Sequence, residues 1–248
     1  MKKIISTIEV FAGLTIKRMF VVLGSMAALE LILFWIFGLS RQVYTFENAV
    51  IRSFIPVVFC AAYLAMYWAL AWFSGRSSTY RYTLQRLTLS ERSATAVQTV
   101  YYALCFLLFL LTQVVLTVLM AKLFEGGKYF SEGAQGIFID MRYNTYFLYN
   151  LVPLWTGVQR VKSLLCIILA AIAAAHMNVS VRRGYTPVIS FILAAAAAML
   201  WAMPIVPHMD PAFMIPLFIF VILIPAGTLY MTYSRANKGS NVEDDPWD

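Results

Sequence analysis

Six long runs of apolar residues divide the chain, and shorter polar stretches separate them. A helix that crosses a bilayer needs about 17–25 mostly apolar residues, because each residue advances the helix by about 1.5 Å. The runs all have lengths in this range, and they lie at approximately 19–40, 54–73, 98–120, 158–179, 188–206 and 212–233. The pattern therefore predicts an all-α integral membrane protein with six transmembrane helices.

The composition supports this prediction and excludes a soluble globular protein. Of the 248 residues, 61% are apolar and 12% are charged, and the mean hydropathy is +0.75. A typical soluble domain has about 25% charged and about 45–50% apolar residues. We assign residues 1–233 to one transmembrane domain, and we expect the polar tail 234–248 to be disordered in the cytoplasm.

The basic residues indicate how the spans are oriented. Segments rich in lysine and arginine alternate along the chain with segments of balanced charge. The basic segments carry Lys2, Lys3, Lys17 and Arg18, then Arg76, Arg81, Arg86 and Arg92, then Arg182 and Arg183, and finally Arg235 and Lys238. Because cytoplasmic loops are enriched in lysine and arginine, both termini are predicted to be cytoplasmic in a multi-pass protein of the cell membrane. The net charge of +7 is then an orientation signal within a lipid bilayer, and we expect no binding of nucleic acid.

Polar side chains in the first and third runs are candidates for a translocation path. Glu30 lies near the middle of the first run, where an ionisable group is costly and usually faces a bundle interior, a partner or a water-filled cavity. Tyr102, Gln113 and Thr117 fall within a narrow arc of one helix, because steps of eleven and four residues return to nearly the same face. These residues line a path for substrate or protons, or else they hold helices together by hydrogen bonds.

An amphipathic pattern precedes the first run, at residues 3–17. Ile4, Ile8 and Phe11 share one face of a helix, and Lys3 lies elsewhere. We expect an N-terminal helix that lies in the membrane interface. A simple extension of the first span is the alternative.

The fourth and fifth runs are expected to be scaffold. They carry alanines spaced by four residues, at Ala170 and Ala174 and at Ala194 and Ala198. Small residues at this spacing let helix backbones approach closely, so the two spans are predicted to pack against each other. His176, near the cytoplasmic end of the fourth run, is expected to form a hydrogen bond or to reach the interface rather than to act in catalysis.

The sequence contains no enzyme motif that we recognise. It has no GxxxxGK[ST] phosphate loop, no HExxH pair and no GxSxG elbow, and only two histidines. Its cysteines, Cys60, Cys105 and Cys166, all fall within predicted spans and show no metal-ligand spacing. We therefore expect no enzymatic activity, no catalytic residues, no metal site and no cofactor bound by this chain.

The passage between the second and third runs is basic and half amphipathic. Tyr80, Leu84 and Leu87 fall on one helical face, and arginines surround them. Ser90 is well placed as the N-cap of the helix that leads into the third run, and Glu91 in its first turn complements the helix dipole. The passage predicts a short cytoplasmic helix that contacts either a groove on a soluble partner or anionic lipid.

The arrangement resembles the permease subunits of ABC transporters of the ABC-2 type, which have six spans, cytoplasmic ends and a basic amphipathic helix at the start. The stretch LQRLTLSER, residues 84–92, is similar to the passage that follows their second span. Thr88 stands where that passage usually has proline, and the outer turn at 207–211 is too short for the re-entrant helix pair of many members. The resemblance implies a coupling helix that docks on a separate ATPase. Its contacts would come from Tyr80, Arg81, Leu84, Arg86, Leu87, Ser90, Glu91 and Arg92.

The resemblance also implies a function, the export of a substrate driven by ATP. The chain would dimerise with itself or with a related permease, and ATP and Mg²⁺ would bind to the partner ATPase subunits. Spans with many aromatic and few charged residues favour an amphipathic or lipophilic substrate, such as a peptide antibiotic, a drug or a lipid. Two other interpretations stay open: an ATP-independent channel or secondary carrier that requires Glu30, and a membrane scaffold or sensor protein that tolerates leucine at this position.

Overall fold

A computed structural model describes residues 2–39, 46–75, 91–125, 157–182 and 188–202, together with Gly227. Within these ranges the chain is helical apart from short turns. The helices are α1 (Lys2–Leu33), α2 (Phe46–Arg52), α3 (Ile55–Gly75), α4 (Glu91–Glu125), α5 (Gly157–Arg182) and α6 (Val188–Ala202). The sixth predicted span, apart from Gly227, and the predicted cytoplasmic tail lie outside the described residues.

Three of the helical segments are long and apolar enough to cross a membrane, namely Ile8–Gly38, Ser93–Phe124 and Val161–Arg182. Two shorter apolar helical stretches, Ile55–Ala71 and Val188–Ala198, belong to α3 and α6. The described part of the chain is therefore that of an all-helical membrane protein, in agreement with the sequence pattern. The total of six spans and the cytoplasmic position of both termini stay predictions.

The N-terminal segment is continuous with the first span. α1 runs without a break from Lys2 to Leu33 and continues as a π-helical turn, Phe34–Gly38. At about 1.5 Å per residue this helix is about 55 Å long, whereas the hydrocarbon core of a bilayer is about 30 Å thick. Phe11 is buried and stacks on Tyr101 of α4, with ring centroids 6.2 Å apart. This geometry matches the second of the two interpretations, an extension of the first span.

A short helix that the sequence pattern did not predict, α2, lies between the first two long helices. Ser53 and Phe54 form a tight turn between α2 and α3, in which Phe54 adopts a φ of 55°. The hydroxyl of Ser53 donates to the backbone oxygen of Ala49 at 2.6 Å. Gly38 approaches this turn so closely that a Cβ there would lie 2.9 Å from Oγ of Ser53 and 2.7 Å from a ring carbon of Phe34. The packing of Gly38 against this turn therefore fixes the position of the start of α3 relative to the end of the first long helix.

The long helices form a ring in which α1, α3, α5 and α4 each pack against the next, and α6 lies on α5. The hydroxyl of Tyr63 on α3 also donates to the backbone oxygen of Ala194 on α6 at 3.3 Å. α3 and α5 end, and α4 and α6 begin, at the same end of the bundle. We call this the arginine-rich end, because the sequence at and between these helix ends contains Arg76, Arg81, Arg86, Arg92, Arg182 and Arg183.

The two alanine-rich helices, α5 and α6, pack directly against each other. Ala170 and Ala174 on α5 and Ala194 on α6 are buried, and Ala198 is half-buried. The predicted close approach of the fourth and fifth spans is confirmed for these residues. Because these side chains are small, the two backbones can approach closely. α5 and α6 therefore form a tightly packed pair on one side of the bundle.

Candidate functional site

Four polar residues of α4 lie on one face of the helix and are buried between helices. Gln98, Tyr102, Gln113 and Thr117 are each at most 1% exposed. The sequence predicted a common face for the last three, and Gln98 extends it by one further turn. In the described part of the chain, Tyr102 and Gln113 on this face form hydrogen bonds to other helices.

The polar face of α4 is interrupted in the middle. Phe106 and Phe109 lie on the same face between Tyr102 and Gln113, and both are buried. Phe109 packs against Phe59 of α3 at a ring-centroid distance of 5.2 Å. Eleven residues of helix place Tyr102 about 16 Å from Gln113 along the axis. The predicted path residues therefore fall into two separate polar clusters.

The first cluster, which we call the Glu30 pair, consists of Glu30 on α1 and Gln113 on α4. Nε2 of Gln113 donates a hydrogen bond to Oε2 of Glu30 at 2.8 Å. Thr117 lies one turn further along α4, and its hydroxyl donates to the backbone oxygen of Gln113 at 2.9 Å. The structure thus brings Glu30 and Gln113 together at the contact of α1 with α4, and Thr117 lies one helical turn from Gln113 on the same face.

The Glu30 pair is enclosed but incompletely satisfied. Glu30 and Gln113 are 0% exposed. Among the described residues, Oε1 of Glu30 and Oε1 of Gln113 have no hydrogen-bond partner. Buried polar groups are almost always hydrogen-bonded, and an acceptor that is left without a donor costs about 1–3 kcal/mol. The Glu30 pair contains two such oxygens, one of them on an ionisable group.

The second cluster, which we call the Tyr102 joint, lies towards the arginine-rich end. The hydroxyl of Tyr102 donates to the backbone oxygen of Leu70 on α3 at 2.7 Å. It accepts from Nε2 of Gln98 at 2.7 Å and lies 3.5 Å from Nδ2 of Asn178 on α5. Nδ2 of Asn178 also donates to the backbone oxygen of Ala71 at 3.3 Å. One phenol therefore connects α3, α4 and α5.

The Tyr102 joint lies near the end of α3 and the beginning of α4, the two helix ends that flank segment 76–90 in the sequence. Leu70 and Ala71 are in the last two turns of α3, which ends at Gly75. Gln98 is in the second turn of α4, which begins at Glu91. The joint therefore ties together the two helices that hold segment 76–90 at its two ends.

A third group of polar atoms lies at the other end of the bundle, where α5 begins and α6 ends. Nζ of Lys162 on α5 approaches the backbone oxygen of Trp201 on α6 at 3.5 Å. The indole of Trp201 packs edge-on against Phe59 and Tyr63, with centroid distances of 5.7 and 5.9 Å. These contacts extend the packing of α3, α5 and α6 to that end.

His176 has a structural role in the described part of the chain. Its Nδ1 shares a hydrogen bond with Oγ of Ser190 on α6, at 2.6 Å. Both side chains are buried. The expectation of a hydrogen-bonded histidine is confirmed, and the bond fixes α6 to α5 near the arginine-rich end.

Most of the residues expected to contact an ATPase lie outside the described residues: Tyr80, Arg81, Leu84, Arg86, Leu87 and Ser90. Glu91 and Arg92 are the first two residues of α4. The helix begins directly after Ser90, where the sequence predicted an N-cap. The coupling role of these residues stays a prediction.

Sequence reasoning missed Gln98 and Asn178, the two amides of the Tyr102 joint. Gln98 had a local signal, because it lies four residues before Tyr102 and so shares its face of the helix. Asn178 had only a weak one, a lone amide in an apolar span. Among the described residues there is also no group of three or more histidine, cysteine or acidic side chains that would hold a metal ion.

Comparison with known proteins adds no relative to this description. The chain matches no protein family, no curated protein and no solved structure.

Proposed function

We propose that the chain is the transmembrane subunit of an ATP-driven exporter of the ABC-2 type, with six spans and both termini in the cytoplasm. It would form the translocation path as a dimer, with itself or with a related permease, and bind separate ATPase subunits. The proposal is supported by the resemblance of residues 84–92 and by the position of the Tyr102 joint. An amphipathic or lipophilic substrate fits spans with many aromatic side chains.

The Tyr102 joint is the observation that carries the proposed mechanism. ATP binding closes the ATPase dimer and displaces the passage Arg81–Arg92. Because Tyr102 holds α3 to α4 and Asn178 holds α5 to both, a displacement of segment 76–90 moves the three helices together. A rigid-body motion of this kind switches a cavity between two permease subunits from inward to outward exposure.

The experiment that tests this function is co-purification. The tagged chain is extracted from its native membrane in a mild detergent, and the proteins that accompany it are identified by mass spectrometry. We expect a stoichiometric small ATPase, which is lost when Arg81, Leu84 and Arg86 are replaced together by alanine. The control variant replaces Lys2 and Lys3 by alanine, which removes the same number of positive charges elsewhere. If no ATPase accompanies the wild-type chain under gentle conditions, the proposal is wrong.

A second candidate function, an ATP-independent carrier, is favoured by the Glu30 pair. An ionisable residue that is buried within a membrane span often marks the pathway of an ion or a proton. This candidate predicts that transport continues when ATP is depleted and that Glu30→Gln abolishes it. The exporter predicts that transport stops when ATP is depleted.

A further inference from the structure

Among the described residues on α1 and on the helices packed against it, no positive charge lies close enough to neutralise the carboxyl group of Glu30. α1 packs against α3 and α4. α3 carries no lysine, arginine or histidine, and its ionisable groups are Cys60, Tyr63 and Tyr67. The basic residue of α4 closest in sequence to Gln113 is Lys122, about 14 Å further along the axis and exposed.

The charged groups of α1 itself are equally remote. Lys17 and Arg18 lie at least twelve residues before Glu30, which is about 18 Å along the helix. The remaining titratable residues of α4 (Glu91, Arg92, Tyr101, Tyr102, Cys105 and Glu125) lie eight or more residues from Gln113. Glu30 therefore meets only neutral partners on the helices packed against it.

The atoms of the Glu30 pair that lack a hydrogen-bond partner among the described residues are both oxygen atoms. Oε1 of Glu30 and Oε1 of Gln113 have no donor among the described residues. Oγ of Thr117 uses its proton on the backbone of Gln113 and keeps lone pairs that can accept. A carboxyl oxygen, an amide oxygen and a hydroxyl oxygen together form the donor set that hard cations prefer.

We infer that Glu30 and Gln113, with Thr117 beside them, form a binding site for a small monovalent cation, a proton or Na⁺. Both side chains are 0% exposed, so the ligand we infer is a small one. If the ion is a proton, Oε1 of Glu30 carries it and can donate a hydrogen bond to Oε1 of Gln113. If the ion is Na⁺, the oxygen atoms coordinate it directly. This inference concerns the described residues alone and does not depend on the proposed exporter function.

Occupancy of the site is coupled to the contact between α1 and α4. With the cation bound, the carboxyl group is neutralised and the two helices stay packed. Without it, a bare carboxylate would remain in an apolar interior, which costs several kcal/mol, so the cation-free state favours a conformation that admits water between α1 and α4. A bound cation therefore selects the closed arrangement of these helices.

The test uses dicyclohexylcarbodiimide, an apolar reagent that modifies protonated carboxyl groups within membranes. Native membranes that contain the full chain are treated with it in choline chloride, and the label on Glu30 is measured by mass spectrometry of the peptide. We expect Glu30 to be labelled. The rate should fall when NaCl replaces choline chloride at constant pH if the ion is Na⁺. If the ion is a proton, the rate should fall only when the pH is raised.

The variants show whether Gln113 contributes to the site. If the ion is Na⁺, Gln113→Leu should raise the NaCl concentration needed for half-protection by about 10-fold. If the ion is a proton, the same change should shift the pH of half-maximal labelling by about one unit. Thr112→Val is the matched control, because the neighbouring Thr112 hydroxyl donates to the backbone oxygen of Leu108 on its own helix and does not face Glu30. Thr112→Val should label like the wild type.

Two results would overturn the inference. One is a wild-type chain in which Glu30 stays unlabelled at every pH, and the other is a label that neither Na⁺ nor pH affects. The wild-type measurement needs no variant to fold. An ATPase that fails to co-purify would leave the labelling result intact, so the failure of the exporter function and the failure of the cation site are separate outcomes.

Discussion

The hydroxyl of Tyr102 donates a hydrogen bond to the backbone oxygen of Leu70, 2.7 Å away and 32 residues earlier in the chain. A backbone oxygen inside a helix already accepts from the amide four residues later, so Tyr102 adds a second bond to it. The phenol therefore holds α3 to α4 without disturbing the helical hydrogen bonds of either.

Tyr102→Phe should destabilise the chain in detergent by about 1–2 kcal/mol, because Gln98 loses its acceptor and Leu70 loses a donor. The free energy of unfolding is measured by titration with sodium dodecyl sulfate. Tyr101→Phe is the matched control, because it removes the neighbouring hydroxyl of the same helix, which bonds to Thr15 at 2.7 Å in a partly buried position. Equal losses for the two variants would contradict the central position of Tyr102.

Leucine at both positions of the Glu30 pair should cost less stability than the sum of the two single changes. Glu30→Leu strands the amide of Gln113, and Gln113→Leu strands the carboxyl, so each single change should cost about 1–3 kcal/mol. The double variant leaves no polar group behind and should lose less than the sum of the two, which a double-mutant cycle detects. Strict additivity would mean that the 2.8 Å contact contributes nothing to folding.

Gly38→Ala should destabilise the fold by about 1–3 kcal/mol, because its Cβ would overlap Phe34 and Ser53. Gly24→Ala is the control on the same helix, where a Cβ would meet nothing within 4 Å. That change should stabilise the helix by up to about 1 kcal/mol. Thermal unfolding of the two variants in detergent gives the comparison, and a stabilising Gly38→Ala would refute the close approach.

Ala197→Leu should disrupt the contact of α6 with α5, because Ala197 is buried and a larger side chain overpacks the interface by about 1–3 kcal/mol. Ala195→Leu is the matched change on the exposed face of the same helix and should be nearly neutral. The yield of folded protein after gel filtration in detergent separates them. Similar yields would show that the contact between α5 and α6 accommodates a larger side chain.

The apolar pattern predicted the bounds of the described helices well where a helix ends close to the end of its apolar run. The second run, 54–73, became Ile55–Gly75, and the fourth, 158–179, became Gly157–Arg182. The third run was too short at both ends, because the polar residues that flank it, from Glu91 onwards, stay helical beyond the apolar core. α2 was missed because seven residues of mixed polarity give no usable period.

The partners within the site could not be predicted in the same way. A single helix shows which residues share a face, and this reasoning placed Gln113 and Thr117 together correctly. The hydrogen bond between Glu30 and Gln113 spans 83 residues, and no spacing rule relates positions on different helices. Which helices are neighbours depends on the packing of all of them, so tertiary contacts of this kind emerge only from the structure.

α1 and the π-helical turn that follows it form one continuous helix, which is longer than the hydrocarbon layer that it would cross. A helix of about 55 Å in a layer of about 30 Å must tilt strongly or project from it. Because no break separates Phe11 from Glu30, a rotation of the N-terminal turns about the helix axis would also turn the face that carries the carboxyl group. The stacking of Phe11 on Tyr101 therefore restrains the orientation of Glu30 from about 28 Å away along the helix.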